Sequence, residues 1–229
     1  MTSDPWNLSY QKSLDAKPSW SKHGMPALFQ EFVNFIKKQE SLGLHLDMGC
    51  GDGVKTVNFA LHGLKTIGID ISRDGFKEAR ALIKDLDLRK NCKVMKVDAL
   101  RMPFPKGTFA SASDILMFTH IRKKDYPRYF RQILKVLKNG TYILMVLFSD
   151  KDSHFHGHKI SSEYEFKYDP ENPLMEGLAH YHGMVNVHFN KRDIKKTFKD
   201  FKIVKIEEVV HPIYSHRFLW NVIMQKNES

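Results

Sequence analysis

Residues 44–53 constrain the fold of this chain more than any other stretch. They read Leu-His-Leu-Asp-Met-Gly-Cys-Gly-Asp-Gly, so an apolar alternation is followed by glycines at every second position. Because glycine has no Cβ, Gly49, Gly51 and Gly53 can adopt positive φ and let a ligand approach the backbone closely. Residues 56–61 have helical apolar spacing, which predicts a helix whose first N–H groups face a ligand. A strand, a glycine turn and a helix form the first unit of a doubly wound nucleotide-binding sheet.

The glycine spacing differs from the usual dinucleotide fingerprint, in which the third glycine lies three positions after the second. Here it lies two positions after, and Asp47 ends the strand just before the first glycine. This Asp-x-Gly-x-Gly-x-Gly arrangement resembles the loop of class I S-adenosylmethionine-dependent methyltransferases. The resemblance implies that Asp47, Gly49, Cys50 and Gly51 bind S-adenosylmethionine, which becomes S-adenosylhomocysteine on methyl transfer. A nicotinamide-dependent dehydrogenase is the alternative at the level of the fold, and the glycine spacing disfavours it.

A second carboxylate follows the next predicted strand, residues 64–71. Asp70 lies nineteen residues after Gly51, close to the ~20-residue offset at which a carboxylate meets a ribose diol in such folds. Ser72 is a better N-cap for the helix that follows than Asp70. We therefore assign Asp70, with its neighbour Ile71, to the ribose of the cofactor.

Two further predicted strands, residues 92–97 and 109–117, also carry acidic residues near their ends. In the methyltransferases that this chain resembles, an acidic residue after the third strand accepts a hydrogen bond from the adenine amino group and its neighbour donates a backbone N–H. These roles fall on Asp98 and Ala99, although Asp98 could instead begin a turn. Asp114 lies near the C-terminal end of the fourth strand, where open parallel sheets bind ligands, so we expect it at the cofactor site.

The fourth strand resembles the family signature that often ends in His-Ile, here His120-Ile121. It departs from that signature at Ala110, where the family commonly has aspartate. The chain also lacks the Asn/Asp-Pro-Pro-aromatic motif that the resemblance would require of an enzyme methylating exocyclic amines of nucleic-acid bases. This absence argues against such amines as the methyl acceptor.

Two segments are predicted to cover the site. Residues 149–190 have weak periodicity and are longer than a connector requires, which is typical of a substrate lid. Their six histidines are in no standard zinc pattern, so we predict no metal site. The alternatives are that these histidines line the substrate-binding site, take part in proton transfer, or lie in solvent. In the small-molecule methyltransferases that this chain resembles, an N-terminal Trp/Tyr segment caps the cofactor cleft. The resemblance implies such a cap for residues 1–23, in which Tyr10 lies over the cofactor or, alternatively, packs on the rim of the core.

A general base is needed only for some acceptors. A thiolate or a metalloid anion can be methylated without one, whereas an oxygen or amine acceptor gains from a base. Imidazole titrates near neutrality, and His120, His180 and His182 are the candidates by position. The sequence does not choose among them, so no catalytic residue is assigned.

Composition limits the partners. The chain has 229 residues, a formal charge of +10 and 42% hydrophobic residues, and no apolar run approaches the ~18 residues of a membrane span. Two cysteines and an N-terminus unlike a signal peptide favour the cytoplasm. The basic residues are dispersed, so a nucleic-acid partner is disfavoured but not excluded. We expect a small-molecule acceptor and a monomer or homodimer.

These patterns predict a single α/β domain over residues 1–229, with a doubly wound, mostly parallel seven-stranded sheet. Further helices are predicted at 25–40, 126–137 (closed by Gly140) and 191–201, and a terminal antiparallel strand pair at 202–210 and 218–224. The short chain and its cap resemble the small-molecule branch that includes tellurite-resistance and thiopurine-type enzymes. The alternatives are an RNA methyltransferase that uses the basic surface and a non-catalytic S-adenosylmethionine-binding module.

Overall fold

The computed structural model describes residues 26–152, 158–159, 165–167, 184–210 and 217–227. The helices are α1 (Pro26–Lys38), α2 (Val54–Leu61), α3 (Arg73–Asp85), α4 (Tyr126–Val136) and α5 (Lys191–Thr197). The strands are β1 (Leu44–Met48), β2 (Lys65–Asp70), β3 (Cys92–Lys96), β4 (Phe109–Ile115), β5 (Leu137–Ser149), β6 (His158–Lys159), β7 (Glu165–Lys167), β8 (Val185–Phe189), β9 (Phe201–Val210) and β10 (Phe218–Lys226).

Within the described residues, seven strands form the main sheet in the order β3-β2-β1-β4-β5-β10-β9. The first five strands are parallel, β10 is antiparallel to β5, and β9 is antiparallel to β10. The order reverses between β1 and β4, which is where such sheets bind ligands. The predicted α/β fold with a mostly parallel seven-stranded sheet and a terminal antiparallel pair is therefore confirmed.

The two faces of this sheet bury separate apolar clusters. On one face, α1 and Phe59 of α2 pack on alternate residues of β5, among them Leu144 and Val146. On the other face, α4 and α5 pack on the intervening residues Ile143 and Met145. Since side chains alternate along a strand, one apolar run such as β5 serves both layers.

Two boundaries differ from those predicted. Helix α4 ends at Val136 and β5 begins at Leu137, so Gly140, although its φ is 71°, lies inside the strand and does not cap the helix. The pairing of β4 with β5 changes register in this region, and a left-handed glycine is suited to such an irregularity. The residues that were expected to end the helix therefore belong to the sheet.

The predicted lid contains regular structure. Val185–Phe189 form the fully buried strand β8, which pairs in parallel with the end of β5 and antiparallel with β7. Apolar and polar residues alternate along this strand. The strand was not predicted because it lies in a histidine-rich stretch whose overall periodicity is weak. Apart from residues 158–159 and 165–167, positions 153–183 lie outside the described residues.

Gly53 is required by helix packing. It is the N-cap of α2 with φ 80°, and a Cβ at this position would lie 2.6 Å from the Cβ of Ala79 on α3. Any L-residue there is strained by the left-handed backbone and also collides with the next helix. The close approach of α2 to α3 thus depends on this glycine.

We expect Gly53→Ala to lower the free energy of unfolding by about 2–5 kcal/mol, as the sum of left-handed strain and overpacking. Gly63→Ala is the matched control, because Gly63 has φ 93° but its nearest neighbour would be 3.9 Å from the new Cβ. The control should lose only about 1–2 kcal/mol. Urea unfolding measures both, and equal losses would show that contact with Ala79 contributes nothing.

Candidate active site

The C-terminal ends of β1, β2, β3 and β4 open into one cavity of about 360 Å³. Its floor is the loop after β1, its sides are the residues that follow β2 and β3, and its far wall combines the turn after β4 with the ends of β5 and β10. Residues distant in sequence meet here because parallel strands all end at the same edge of the sheet.

Most of the predicted site residues line this cavity. They are Gly49, Cys50, Gly51, Asp70, Ile71, Asp98, Ala99 and His120. Two others, Asp47 and Asp114, are buried behind the wall and do not line it. Tyr10, His180 and His182 lie outside the described residues.

Asp70 fixes the glycine loop relative to β2. Its Oδ2 accepts a hydrogen bond from the Gly51 N–H at 2.9 Å, and its Oδ1 accepts one from the Ser72 N–H at 2.7 Å. The hydroxyl of Ser72 caps α3 by accepting from the Gly75 N–H, as the sequence predicts. Asp70 also lines the cavity, so the carboxylate that anchors the loop lies at the wall.

Asp98 presents a carboxylate at the end of β3. Its Oδ1 accepts from the Leu100 N–H at 2.8 Å, while the exposed Arg101 lies 3.9 Å from Oδ2. The turn-starting role and the ligand-binding role, which the sequence left as alternatives, are compatible: one oxygen forms the turn and the other faces the solvent-accessible side of the cavity wall.

The conformation of the glycine loop is also required by packing against neighbouring parts of the protein. Gly49 has φ 71°, and a Cβ there would lie 2.3 Å from the Cβ of Met117 in the turn after β4. Cys50 is buried between the loop and β2, and burial, with the charges of Asp70 and Asp47, raises the pKa of its thiol well above the usual value. Cys50 is therefore an inert filler of the loop.

A hydrogen-bonded chain of buried side chains lies beneath this loop. The register of β1 with β4 sets His45 beside Ser111 and Asp47 beside Ser113. Ser113 donates to Asp47 Oδ1 at 2.8 Å, and Thr56 on α2 donates to Asp47 Oδ2 at 2.6 Å. The Ser113 hydroxyl proton is thus used, so His45 Nε2–H donates to Ser113 Oγ (3.1 Å) and His45 Nδ1 accepts from Ser111 (2.9 Å).

Burial determines the protonation of these hydrogen-bonded side chains. Desolvation lowers the pKa of His45 to about 3, so the imidazole is neutral at physiological pH. Burial also raises the pKa of Asp47, opposed by its two hydroxyl donors. Asp47 does not line the cavity. It influences the cavity indirectly, by holding α2 and β4 in place.

Asp114 holds the turn after β4. It is fully buried; its carboxylate accepts from the Tyr129 hydroxyl of α4 and, at 2.9 Å, from the Phe118 N–H. Burial raises the pKa of this carboxyl to about 7, with the Tyr129 and Phe118 hydrogen bonds acting in the opposite direction. The turn also contains Leu116 with φ 72°, a left-handed position that costs a branched residue energy and is typical of functional sites.

His120 projects from this turn into the cavity. Its Nδ1 lies 2.9 Å from the carbonyl oxygen of Val185 on β8, so in the neutral ring Nδ1 carries the proton and Nε2 carries the lone pair. The ring meets Phe148 edge-on at 5.9 Å between centroids. A backbone acceptor that fixes the tautomer is the arrangement that orients a general base.

The far wall of the cavity was not predicted from the sequence. Phe148 at the end of β5 and Arg217 and Leu219 at the start of β10 line it. Phe148 reads as an ordinary core residue of an apolar strand, and Arg217 reads as one of many dispersed cations. Only the pairing of β10 with β5 brings them to the cavity.

The described residues contain no group of three or more potential metal-ligating side chains. The helices among them include none long and apolar enough to cross a membrane.

The buried His45 predicts a pH-dependent stability. The unfolded chain protonates His45 near pH 6.5 and the folded chain only near pH 3, so the unfolded state binds more protons in between and the folding contribution of His45 is lost as pH falls. Asp114 has the opposite effect: its raised pKa makes stability fall as pH rises from about 4 to 7. Because the two effects oppose each other, the pH dependence of stability of the wild type alone reveals neither the His45 nor the Asp114 contribution.

We expect His45→Gln to be less stable than wild type at pH 7 by about 1–3 kcal/mol, because it breaks the buried hydrogen-bonded chain. Below pH 6.5 the difference should shrink by about 1.4 kcal/mol per pH unit, since Asp114 titrates in both proteins and cancels. Urea unfolding at several pH values measures this. Ser111→Ala breaks the same chain but keeps His45 and both hydroxyl donors to Asp47, so its difference from wild type should stay nearly constant; a constant difference for His45→Gln would refute the assignment.

Comparison with known proteins agrees with this geometry. Residues 46–140 match a family model described as "Methyltransferase domain". The chain is 29% identical over 130 residues to ajmaline N-methyltransferase from Rauvolfia serpentina, an alignment that covers 56% of this chain and 42% of that protein. The matched region spans less than half the length of the curated relatives.

Two solved structures share the fold. A methyltransferase from Methanosarcina mazei described as S-adenosylmethionine-dependent has a TM-score of 0.67 at 21% identity, covering 84% of this chain and 98% of that one. The 1,6-didemethyltoxoflavin N1-methyltransferase of Burkholderia thailandensis, solved with its substrate and S-adenosylhomocysteine, has a TM-score of 0.72 at 14% identity, covering 98% and 88%. The fold is therefore that of the Rossmann-like S-adenosylmethionine-dependent methyltransferases, and residues 46–140, which form most of the cavity, are similar to a methyltransferase domain.

Proposed function

We propose that this protein is an S-adenosylmethionine-dependent methyltransferase that acts on a small molecule. The observation that carries the proposal is the assembly of one cavity from the glycine loop after β1 and the carboxylates after β2 and β3, with His120 on the opposite wall. Each of these features has a separate place in the sequence, and they share a cavity because the sheet has the β3-β2-β1-β4 order.

The residues present fit this cofactor. Asp70 lines the cavity at the end of β2, and its carboxylate is the group that would accept hydrogen bonds from a ribose diol. Asp98, whose Oδ1 is used by the turn, offers Oδ2 to an adenine amino group, and Ala99 lies beside it on the cavity wall. Gly49 and Gly51 leave the floor without side chains for the amino-acid portion. Bound there, the cofactor supplies an electrophilic methyl group on its sulfonium.

Two of the predicted ligands, Asp47 and Asp114, do not line the cavity, and we propose positioning roles for them. Asp47 joins the end of β1 to α2 and β4, and Asp114 holds the turn that carries His120. Tyr10, with the N-terminal cap, and the remainder of the 149–190 lid stay predictions.

Methyl transfer is an in-line displacement, so much of the acceleration comes from orientation of the two reactants, which can be worth ~7–11 kcal/mol. The apolar walls Ile115, Leu116 and Leu219 exclude water from the reacting atoms. His120, with its tautomer fixed by Val185, would take the proton of a hydroxyl or amine acceptor on Nε2. A thiolate acceptor would need only the orientation.

A small acceptor is favoured by the enclosed shape of the cavity and by the names of the relatives, which methylate ajmaline-type and toxoflavin-type molecules. The assignment to the tellurite-resistance and thiopurine-type branch stays a prediction from sequence resemblance. An RNA methyltransferase would use the basic groove beside α4, lined by Arg101, Lys124, Arg128, Arg131 and Lys135. That groove shares Leu100 and Asp125 with the cavity but contains none of the predicted cofactor ligands and not His120, so we do not favour it.

The cofactor assignment is tested by calorimetric titration with S-adenosylmethionine, S-adenosylhomocysteine and NAD. We expect binding of the first two and none of NAD. Asp70→Ala should weaken S-adenosylmethionine binding about tenfold or more, because charge-assisted hydrogen bonds to the ribose and the anchor of Gly51 are lost.

Asp74→Ala is the control for Asp70→Ala. Asp74 is an acidic residue of the same region, paired with Arg73 and Lys77 on α3 and absent from the cavity wall, so its loss should change the affinity less than twofold. Unchanged affinity in Asp70→Ala would remove the ribose assignment, and binding of NAD alone would overturn the proposed function.

His120→Gln tests the base. With an oxygen or nitrogen acceptor we expect ~10²–10⁴-fold slower methyl transfer from radiolabelled cofactor at unchanged cofactor affinity. His62→Gln, an α2 histidine outside the cavity, should leave the rate unaltered. A His120→Gln protein that turns over an oxygen or nitrogen acceptor at the wild-type rate contradicts the role, and cofactor binding without turnover of any acceptor supports the non-catalytic module instead.

A further inference from the structure

A buried guanidinium forms part of the far wall of the cavity. Arg217, the residue before β10, is 8% exposed, and its Nε–H donates to Asp152 Oδ2 at 2.8 Å. Asp152 is itself 2% exposed and also accepts from the Phe218 N–H. The pair therefore closes the end of β10 against the end of β5, and both charges are removed from bulk water.

The hydrogen bonds of Arg217 account for only part of its donor capacity. Guanidinium carries five N–H donors, and within the described chain the bond given to Arg217 is the one from Nε to Asp152. The side chain also lines the cavity, so its Nη groups are the donors on that side. The planar fork of two Nη groups matches the two oxygens of a carboxylate.

Packing alone does not require an arginine here. Removing a cation from water is costly, and one carboxylate partner compensates it only when the other donors also find acceptors. Leu219, Phe148 and Leu116 make the neighbouring wall apolar, and no residue that the structure describes accepts a hydrogen bond from the Nη groups. An anionic group in the cavity would complete the set.

One aromatic ring lies beside both Arg217 and His120. The guanidinium carbon is 5.1 Å from the centroid of Phe148, and the imidazole centroid of His120 is 5.9 Å from the same centroid. The guanidinium carbon and the imidazole centroid therefore lie no more than about 11 Å apart. One ring-sized molecule that bears a carboxylate on one side and a hydroxyl or amine on the other can contact both side chains.

We propose that Arg217 binds a carboxylate of the methyl acceptor, so that the substrate is a small, ring-sized acid whose hydroxyl or amine faces His120. This inference rests on the proposed function and narrows its substrate class. Arg217 thereby selects an anionic acceptor against its neutral analogue, because loss of the carboxylate leaves the guanidinium donors unpaired in an apolar wall.

The test measures binding in the protein saturated with S-adenosylhomocysteine. Four aromatic acids (benzoate, 4-hydroxybenzoate, 3,4-dihydroxybenzoate and 4-aminobenzoate) are titrated calorimetrically, each beside its carboxamide. We expect at least one acid to bind at least tenfold more tightly than its amide. Binding of no acid, or equal binding of every acid and its amide, overturns the proposal.

Variants then assign the preference to this side chain. Arg217→Gln removes the cationic partner of the buried Asp152 carboxylate, so the double variant Asp152→Asn/Arg217→Gln provides a neutral pair that avoids this cost. In the double variant the acid should bind at least tenfold more weakly and the amide within twofold of wild type. Arg192→Gln on α5, an exposed position outside the cavity, removes the same charge and should retain the preference for the acid.

Cofactor affinity separates this proposal from its alternatives. S-adenosylhomocysteine should bind the double variant as it binds the wild type. A loss of ten-fold or more would show that Arg217 holds the amino-acid carboxylate of the cofactor, which overturns the substrate assignment but not the methyltransferase. Failure of the wild type to bind S-adenosylhomocysteine at all would instead overturn the proposed function.

Discussion

The carboxylate of Asp47 is the interaction on which the rest of the site depends. It ends β1 with almost no exposure to solvent, and its two oxygens accept from Thr56 of α2 and from Ser113 of β4. Three elements that meet at the switch point of the sheet are thereby fixed to one side chain. His45 extends the same chain to Ser111 without adding a charge, because burial keeps the imidazole neutral. The glycine loop above this network is held by these buried contacts on one side and by Asp70 at the cavity wall on the other.

The cavity itself combines two kinds of wall. One side, from the glycine loop to Asp98, is polar and built from residues adjacent to strand ends, as expected where a nucleoside is bound. The other side is apolar and contains two cationic or basic side chains, His120 and Arg217, which both lie near Phe148. Under the proposed function, cofactor and acceptor would face different chemistry within one cavity.

Buried ionisable groups support both walls from behind. Asp114, with its raised pKa, and Tyr129 hold the turn that carries His120, and the Asp152 carboxylate anchors Arg217. Removing each such group from water costs free energy, and its hydrogen bonds offset this cost only when their partners are placed accurately. Residues that were expected to touch the cofactor therefore act one layer further out, where they set the geometry of those that line the cavity.

The sequence by itself determined the order of strands and helices, the glycine loop and the positions of Asp70 and Asp98, because periodicity, glycine spacing and strand ends are local signals. It could not separate Asp47 and Asp114 from true wall residues, since both end strands but face the helices on opposite sides of the sheet. It also hid β8 in a histidine-rich segment and gave no reason to notice Phe148 or Arg217. Those residues reach the cavity only through the antiparallel pairing of β10 with β5, a contact between distant parts of the chain that no local pattern encodes.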